Sequence, residues 1–221
     1  LKFERRFTTP SVDPLGAIKY VRTPVEIRSR ETGEPIFKMD SLEAPEFWSE
    51  NARTIVAEKY LKRAGVPGKG YEDSVRTLVH RVGHTIRLFG EQHDYFAGRE
   101  EADTFASELK DLLIRQKAAF NSPVWFNCGL YHVHGIKDNT PGMYAWDFKE
   151  GKITEVENTY ERPQCSACFI NQVDDSLLGP GSIHDAIETE ARLFKYGSGV
   201  GSNWSRVRAV GERLSGGGSS S

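Results

Sequence analysis

CSACFINQV, residues 165–173, is a short and largely apolar run that predicts a buried β-strand. Apolar side chains then recur at three- and four-residue steps from Ser182 to Lys195, which predicts a helix. A glycine- and serine-rich loop at residues 197–202 leads to a second predicted strand near Trp204–Arg208. The order strand, helix, strand indicates the beginning of an α/β sheet or barrel in residues 121–221.

The first 120 residues predict a mainly α-helical domain behind an irregular arm. Residues 1–45 contain prolines and only short β-like stretches, at residues 17–21 and 25–27. Helical periodicity predicts one helix from Trp48, a second after Glu72, and a third from about Glu100 to Phe120. The polar, turn-rich residues 131–163 predict a loop with little regular structure.

Composition excludes several functional classes. The chain has 221 residues, a net charge of −2, and 38% apolar and 27% charged residues, which is ordinary for a globular protein. Its dispersed lysines and arginines form no electrostatic footprint for nucleic acid. It has no apolar run near the roughly 20 residues of a membrane helix, and its start lacks a signal-peptide core. We therefore expect a cytoplasmic protein that binds neither nucleic acid nor membrane.

The cysteines leave several interpretations open. A zinc site would need about four ligands, and Cys128, His132 and His134 could complete the Cys165–Cys168 pair, but only that pair has metal-type spacing. A thioredoxin-like pair would begin a helix, whereas this one lies in a predicted strand. Strand alternation puts Cys165 and Cys168 on opposite faces, which disfavours a local disulfide. Two interpretations remain open: two buried cysteines in a core strand, or one catalytic cysteine whose partner lies elsewhere in the chain.

Two further segments are ambiguous by themselves. The loop Gly197–Ser202 has the pattern GxGxG and follows a helix, so it matches neither the dinucleotide-binding nor the P-loop motif. Its glycines permit close approach of the backbone to a ligand, and a structural turn is an equal alternative. Ser122 precedes Pro123, where its hydroxyl can bond a ligand or cap a turn.

Taken in order, these segments resemble the catalytic subunit of ribonucleotide reductases. The segments are NSPVWFN (121–127), QCSACFI (164–170), FKYGSGVGSNWSRVR (194–208) and GERLSGGGSSS (211–221). Their amino-acid sequences most resemble those of the adenosylcobalamin-dependent class, and the metal-radical class has less similar versions of the same segments. Residues 48–120 also resemble the N-terminal domain of that family, so the resemblance covers most of the chain.

The resemblance implies a ten-stranded α/β barrel with the active site inside, of which this chain holds only the first strands and helices. Cys168 matches the strand cysteine that reduces substrate and pairs with a cysteine far downstream as the ribose loses its 2′-hydroxyl. Ser122 and Ala167 match residues next to the substrate, Ala167 through its backbone. Ser198 and Gly199 match a pair whose backbone passes close to the ribose. Cys165 matches no catalytic cysteine, and no metal site is implied.

The implied activity is that of an adenosylcobalamin-dependent ribonucleoside-diphosphate reductase, which makes deoxyribonucleotides for DNA synthesis. The family's cofactor supplies a 5′-deoxyadenosyl radical that generates a cysteine thiyl, while the protein orients the reacting groups. The implied partners are a ribonucleotide, a nucleotide effector, a thioredoxin-like dithiol reductant and the C-terminal remainder of the enzyme. Residues 211–221 resemble the effector-responsive loop at the interface of a homodimer. The sequence does not distinguish diphosphate from triphosphate substrates.

Several parts of the family's catalytic apparatus are missing from the sequence. The Asn-x-Cys-x-Glu segment of the radical cysteine, the downstream disulfide partner and the phosphate-binding loop are all absent. We therefore expect a fragment that has no reductase activity alone. Two alternatives are the large subunit of a metal-radical ribonucleotide reductase, and a non-enzymatic zinc-binding module that uses Cys128, His132, Cys165 and Cys168.

Overall fold

In the computed structural model, which describes residues 2–220, an antiparallel hairpin occupies much of the region predicted as an irregular arm. Its strands are β1 (Tyr20–Arg28) and β2 (Pro35–Pro45). The prediction of an irregular arm was wrong because the prolines fall where a strand tolerates them. Pro24 lies at a shift of register between Thr23 and Val25, and Pro35 is the first residue of β2.

Helices follow the hairpin, as the periodicity predicted. The helix α1 (Glu50–Ile55) continues into a π-helical turn at Val56–Tyr60, and α2 (Val75–Gln92) and α3 (Arg99–Ile114) come next. The third helix ends earlier than the predicted Phe120. Gln116 has a φ of 57°, and the Lys117 amide bonds back to the carbonyl of Leu112, so the chain leaves the helix here.

Residues 121–165 contain more regular structure than predicted. Ser122–Asn127 form a short helix, α4, and Leu130–His134 form another, α5. A small antiparallel hairpin follows, built from β3 (Tyr144–Asp147) and β4 (Lys152–Glu155). The prediction of an almost unstructured loop over residues 131–163 was therefore wrong in part, because short strands and single-turn helices give no periodic signal.

The structure divides into two compact units, Leu1–Cys165 and Ser166–Ser221. The domain boundary predicted after residue 120 stays a prediction. The core of the first unit joins β1, β2, the π-helical turn, α2, α3 and α4, and its buried apolar members include Val25, Leu42, Val56, Leu78, Val79, Val82, Leu113, Ile114 and Val124. No helix within residues 2–220 is long and apolar enough to cross a membrane.

A buried ion pair lies at the centre of the first unit. The side chains of Arg81, on α2, and Glu72 expose none of their surface, and Arg81 Nε donates to Glu72 Oε1 at 2.8 Å. Arg81 also donates to the carbonyls of Trp125 and Cys128. The guanidinium therefore holds α2 to the end of α4 with bonds that secondary structure alone would not supply.

Gly129 shows how closely these two segments approach. Its φ is +83°, and a Cβ on this residue would lie 2.7 Å from both the Cβ and the carbonyl oxygen of Arg81. Only glycine combines this left-handed backbone with so close a contact. The backbone of α2 therefore constrains the residue that begins α5, directly after the end of α4.

The carboxylate of Glu72 is held in its ionised form. Burial by itself would raise its pKa, but bonds from His134 and Arg81 and from the Lys62 amide outweigh burial and lower the pKa of Glu72 to about 2. His134 Nε2 lies 2.9 Å from Glu72 Oε1 and the Lys62 amide lies 2.9 Å from Oε2. Glu72 thus ties α5 and the segment that precedes α2 to the same buried charge.

The second unit has the predicted order of strand, helix and strand. Its strands β5 (Cys168–Gln172) and β6 (Gly199–Asn203) are parallel, and α6 (Ile183–Lys195) connects them. The Ser182 hydroxyl caps α6 by accepting from the Asp185 amide. The unit is a mixed α/β structure, in agreement with the predicted class at that level.

Three details of this unit differ from prediction. The first strand begins at Cys168 and not at Cys165, and it is not buried, since Ile170 is 85% exposed. The second strand is the glycine-rich segment 199–203, whereas residues 204–208 form a turn closed by the bond from the Val207 amide to the Trp204 carbonyl. The second strand was predicted in the wrong place because glycine and serine have a low propensity for strands. Pairing with β5 outweighs this low propensity at residues 199–203.

We expect Arg81→Met to unfold the first unit far more easily. The substitution keeps much of the side-chain volume but leaves the Glu72 carboxylate buried without its cation, a change that typically costs about 3–5 kcal/mol. Urea denaturation of the 221-residue chain, followed by far-ultraviolet circular dichroism, measures the loss. Lys19→Met is the matched control, because the Lys19 side chain is 75% exposed and its pair with Glu46 should contribute less than about 1 kcal/mol. Equal urea midpoints for the two variants would contradict the role of Arg81.

The lowered pKa of Glu72 predicts a specific loss of stability in acid. A carboxyl group whose folded pKa is about 2, against an ordinary 4.5, stabilises the native state fully above 4.5 and loses that contribution as the pH falls toward 2. Glu72→Gln removes the titrating group, so its unfolding free energy should fall less steeply with pH across that range. Urea midpoints of both proteins at a series of pH values test this, and parallel curves would refute it.

Candidate functional site

The thiol of Cys168 lies at the start of β5, on the surface of the second unit. It is a free and exposed cysteine. In the parallel ladder Cys168 is aligned with Gly199, the first residue of β6. A reacting group on a strand is held by the backbone ladder, which suits chemistry that tolerates little misplacement.

Backbone bonds fix the segment that surrounds this thiol. The Gly199 amide donates to the Ala167 carbonyl at 2.6 Å, and the Ser198 amide donates to the Leu193 carbonyl at 3.0 Å. The Ser198 hydroxyl, on a residue only 4% exposed, donates to the Ser166 carbonyl at 2.7 Å. The amides of Ser198 and Gly199 therefore donate to carbonyls of the same unit, and their N–H groups are not available as donors to a ligand.

Gly199 leaves room beside the thiol. A Cβ on Gly199 would lie 3.8 Å from Cys168 Sγ and 3.7 Å from the Ala167 carbonyl oxygen, which is ordinary contact distance. Any longer side chain would begin from a position already touching the sulfur. The absence of a side chain thus keeps one side of Cys168 open to a molecule that approaches the backbone closely.

Four of the five predicted site residues lie together in this unit: Ala167, Cys168, Ser198 and Gly199. Ser122, the fifth, belongs to the first unit, where it is the first residue of α4. Its Oγ lies 3.1 Å from the Oη of Tyr60, in a half-buried position. Tyr60 gave no signal in the sequence as a partner of Ser122, because the two residues are 62 positions apart.

The other two cysteines form a contact that the sequence did not predict. Cys128, at the end of α4, and Cys165 have their sulfurs 3.4 Å apart within the first unit. The interpretation of Cys165 and Cys168 as two buried cysteines on one core strand is wrong, because Cys165 precedes the strand and Cys168 is exposed. Among residues 2–220 no three His, Cys, Asp or Glu side chains are grouped so that they could hold a metal ion, so the zinc-module hypothesis has no support.

Comparison with known proteins gives these features a context. Residues 22–116 match the family model described as class II vitamin B12-dependent ribonucleotide reductase, and residues 166–221 match that of the ribonucleotide reductase barrel domain. The chain belongs to the class II ribonucleotide reductase family. The barrel match begins two residues before Cys168 and contains the whole second unit.

Curated class II relatives extend over the whole chain. It is 40% identical to a vitamin B12-dependent ribonucleotide reductase of Bradyrhizobium diazoefficiens, 36% to one of Agrobacterium fabrum and 37% to one of Rhodopirellula baltica. Each comparison covers 100% of this chain and 20–21% of the relative. The chain thus spans about one fifth of the length of the class II reductases that it matches.

The structure predicts a supporting role for the Ser198 hydroxyl. Ser198→Ala removes a buried bond to the Ser166 carbonyl, which should cost about 1 kcal/mol and speed local opening about fivefold. Hydrogen exchange of peptides that span 166–172 and 196–203, in the complete polypeptide, measures that opening. Ser205→Ala is the matched control because Ser205 is exposed. Unchanged exchange in Ser198→Ala would show that the hydroxyl does not hold this segment.

Proposed function

We propose that this chain carries the substrate-reducing cysteine, Cys168, of an enzyme that converts ribonucleotides to 2′-deoxyribonucleotides with adenosylcobalamin. The observation that carries the proposal is the free thiol of Cys168 on a strand beside Gly199, inside the segment that matches the barrel domain. The names of the class II relatives supply the reaction and the vitamin B12 dependence.

The role that the resemblance implies for Cys168 is consistent with the electron balance of the reaction. Replacing the 2′-hydroxyl of a ribose by hydrogen releases water and consumes two electrons and two protons. Two thiols supply both when they become a disulfide. Cys168 is one of them, and its partner is the downstream cysteine that the family resemblance implies. An exterior dithiol, such as a thioredoxin-like protein, then reduces the disulfide by exchange.

The residues described here fit the reducing part of this chemistry. The Cys168 thiol is free and exposed, and the hydrogen-bonded amides of Ser198 and Gly199 keep its surroundings rigid. Adenosylcobalamin, when bound, supplies the radical that activates the substrate for loss of its hydroxyl. We assign Ala167, Ser198 and Gly199 to positioning the ribose through the shape of their backbone, and Ser122 to the substrate's vicinity.

We further propose that β5, α6 and β6 begin a ten-stranded barrel. Parallel sheets are normally covered on both faces, yet in this unit Ile170 is 85% exposed. On α6, Ile187 and Phe194 are 60% and 56% exposed, although their spacing is that of a core-facing stripe. Exposed apolar side chains on both elements support the addition of further strands and helices to this sheet.

Residues 211–221 are our candidate for the effector-responsive loop. The described part, up to Ser220, is closed on itself by bonds from the Gly211 amide to the Ser220 carbonyl and from the Leu214 amide to the Gly218 carbonyl. Ser221 lies outside the described residues. An exposed loop with its own internal bonds suits a nucleotide effector at the interface of a homodimer. We also propose that the protein is cytoplasmic.

The deciding experiment is an assay of ribonucleotide reduction by the complete polypeptide, with a dithiol reductant. We expect deoxyribonucleotide only when adenosylcobalamin is present. Cys168→Ser should lower the rate roughly a hundredfold or more, because a serine hydroxyl cannot form the disulfide that supplies the two electrons. Product formed without adenosylcobalamin would overturn the assignment of the cofactor.

Cys165→Ser is the matched control in that assay. It changes the same atom, in the same motif, at a cysteine to which we assign no part in catalysis. We expect it to retain most of the activity of the unmodified enzyme. A loss as large as that of Cys168→Ser would mean that the thiol assignment is wrong, whatever the dependence on adenosylcobalamin.

A further inference from the structure

The contact between Cys128 and Cys165 is separate from the proposed reducing thiol. Their sulfurs are 3.4 Å apart, and both cysteines are free. A disulfide needs the sulfurs to approach to about 2.0 Å. We propose that Cys128 and Cys165 are a second redox pair, which closes reversibly to a disulfide by exchange with a small-molecule or protein disulfide.

Two flanking contacts hold the segments together where the pair would close. The side-chain amide of Asn127 donates to the Gln164 carbonyl at 2.8 Å, so the residue before each cysteine is bonded to its counterpart. The Cys128 carbonyl accepts from the buried guanidinium of Arg81. These bonds hold the two segments beside each other on either side of the sulfurs, which have to close from 3.4 Å to about 2.0 Å.

Exposure and acidity give the two thiols different roles. Cys165 is half-buried and can be reached from solvent, whereas Cys128 is 2% exposed. The hydrogen bond from Cys128 lowers the pKa of Cys165, while the same bond and burial raise the pKa of Cys128. Cys165 is therefore the attacking thiol and Cys128 the resolving thiol.

The exchange balances without further reactants. The Cys165 thiolate attacks one sulfur of the incoming disulfide, forming a mixed disulfide and releasing one thiol. Cys128 then loses its proton and attacks Cys165 Sγ, which releases the second thiol. One sulfur–sulfur bond is broken and one is formed, so two cysteines are oxidised while the incoming disulfide is reduced to two thiols. An excess of dithiol reverses both steps.

Peptide mapping of the complete polypeptide can test this pairing. Trypsin places Cys128 in peptide 118–137, and it places Cys165 together with Cys168 in peptide 153–192, because the Arg162–Pro163 bond resists cleavage. Cys168→Ser therefore leaves Cys165 as the sole cysteine of the second peptide. After treatment with oxidised glutathione, alkylation of the remaining thiols and digestion without reductant, we expect these two peptides to be linked. Dithiothreitol added before alkylation should abolish the link.

The same peptide map contains a control variant and the results that would contradict the proposal. Cys165→Ser combined with Cys168→Ser should give no linked peptide, and Cys128 should be recovered alkylated after unfolding. The proposal fails if Cys165 is recovered alkylated, joined to glutathione with Cys128 still a thiol, or linked to any other cysteine. The unmodified polypeptide supplies a second test, since fragmentation between residues 165 and 168 identifies which cysteine of peptide 153–192 carries the link.

Discussion

The buried guanidinium of Arg81 is the interaction on which the first unit depends. A fully buried cation is tolerated only when its donors are bonded, and here the carboxylate of Glu72 and the carbonyls of Trp125 and Cys128 accept from it. Glu72 precedes α2, and Trp125 and Cys128 lie in α4 and at its end, so the charge joins α2, α4 and the segment before α2. Gly129 completes the junction because no larger residue fits against the backbone of Arg81.

One cysteine of the Cys128–Cys165 pair lies at this junction. Cys128 ends α4 with its carbonyl on Arg81 and its sulfur against Cys165, which places that pair inside the first unit. Cys168 is only three positions beyond Cys165, yet it begins a strand of the second unit. One CxxC motif therefore contributes its two thiols to different surroundings, one half-buried in a pair and one exposed on a strand.

The longer helices were predicted from the sequence with fair accuracy. The periodicity of α2 and α6 and the serine caps before them are local properties, and both helices lie close to their predicted bounds. Ala167, Cys168, Ser198 and Gly199 came from matched motifs and do lie together. Their catalytic and binding roles, and that of Ser122, remain proposals.

Errors were concentrated where the decisive interaction is not local. The β1–β2 hairpin was missed because prolines disfavour strands except at edges and bulges, and only pairing reveals which they are. The strand at residues 199–203 was displaced to 204–208 because a glycine-rich strand forms by pairing with β5 and not by propensity. No periodic signal marked the short helices α4 and α5 or the β3–β4 hairpin.

The sequence by itself determined the family, the longer helices and the segments that match the family's motifs, because sequence motifs and helical periodicity are local properties of the chain. The tertiary structure alone decided which side chains meet. It placed Cys128 against Cys165 across 37 positions, Ser122 against Tyr60 across 62, and Arg81 against the end of α4 across 47. The physical reason is that such contacts depend on the folded path of the backbone, and no local preference of either residue specifies its distant partner.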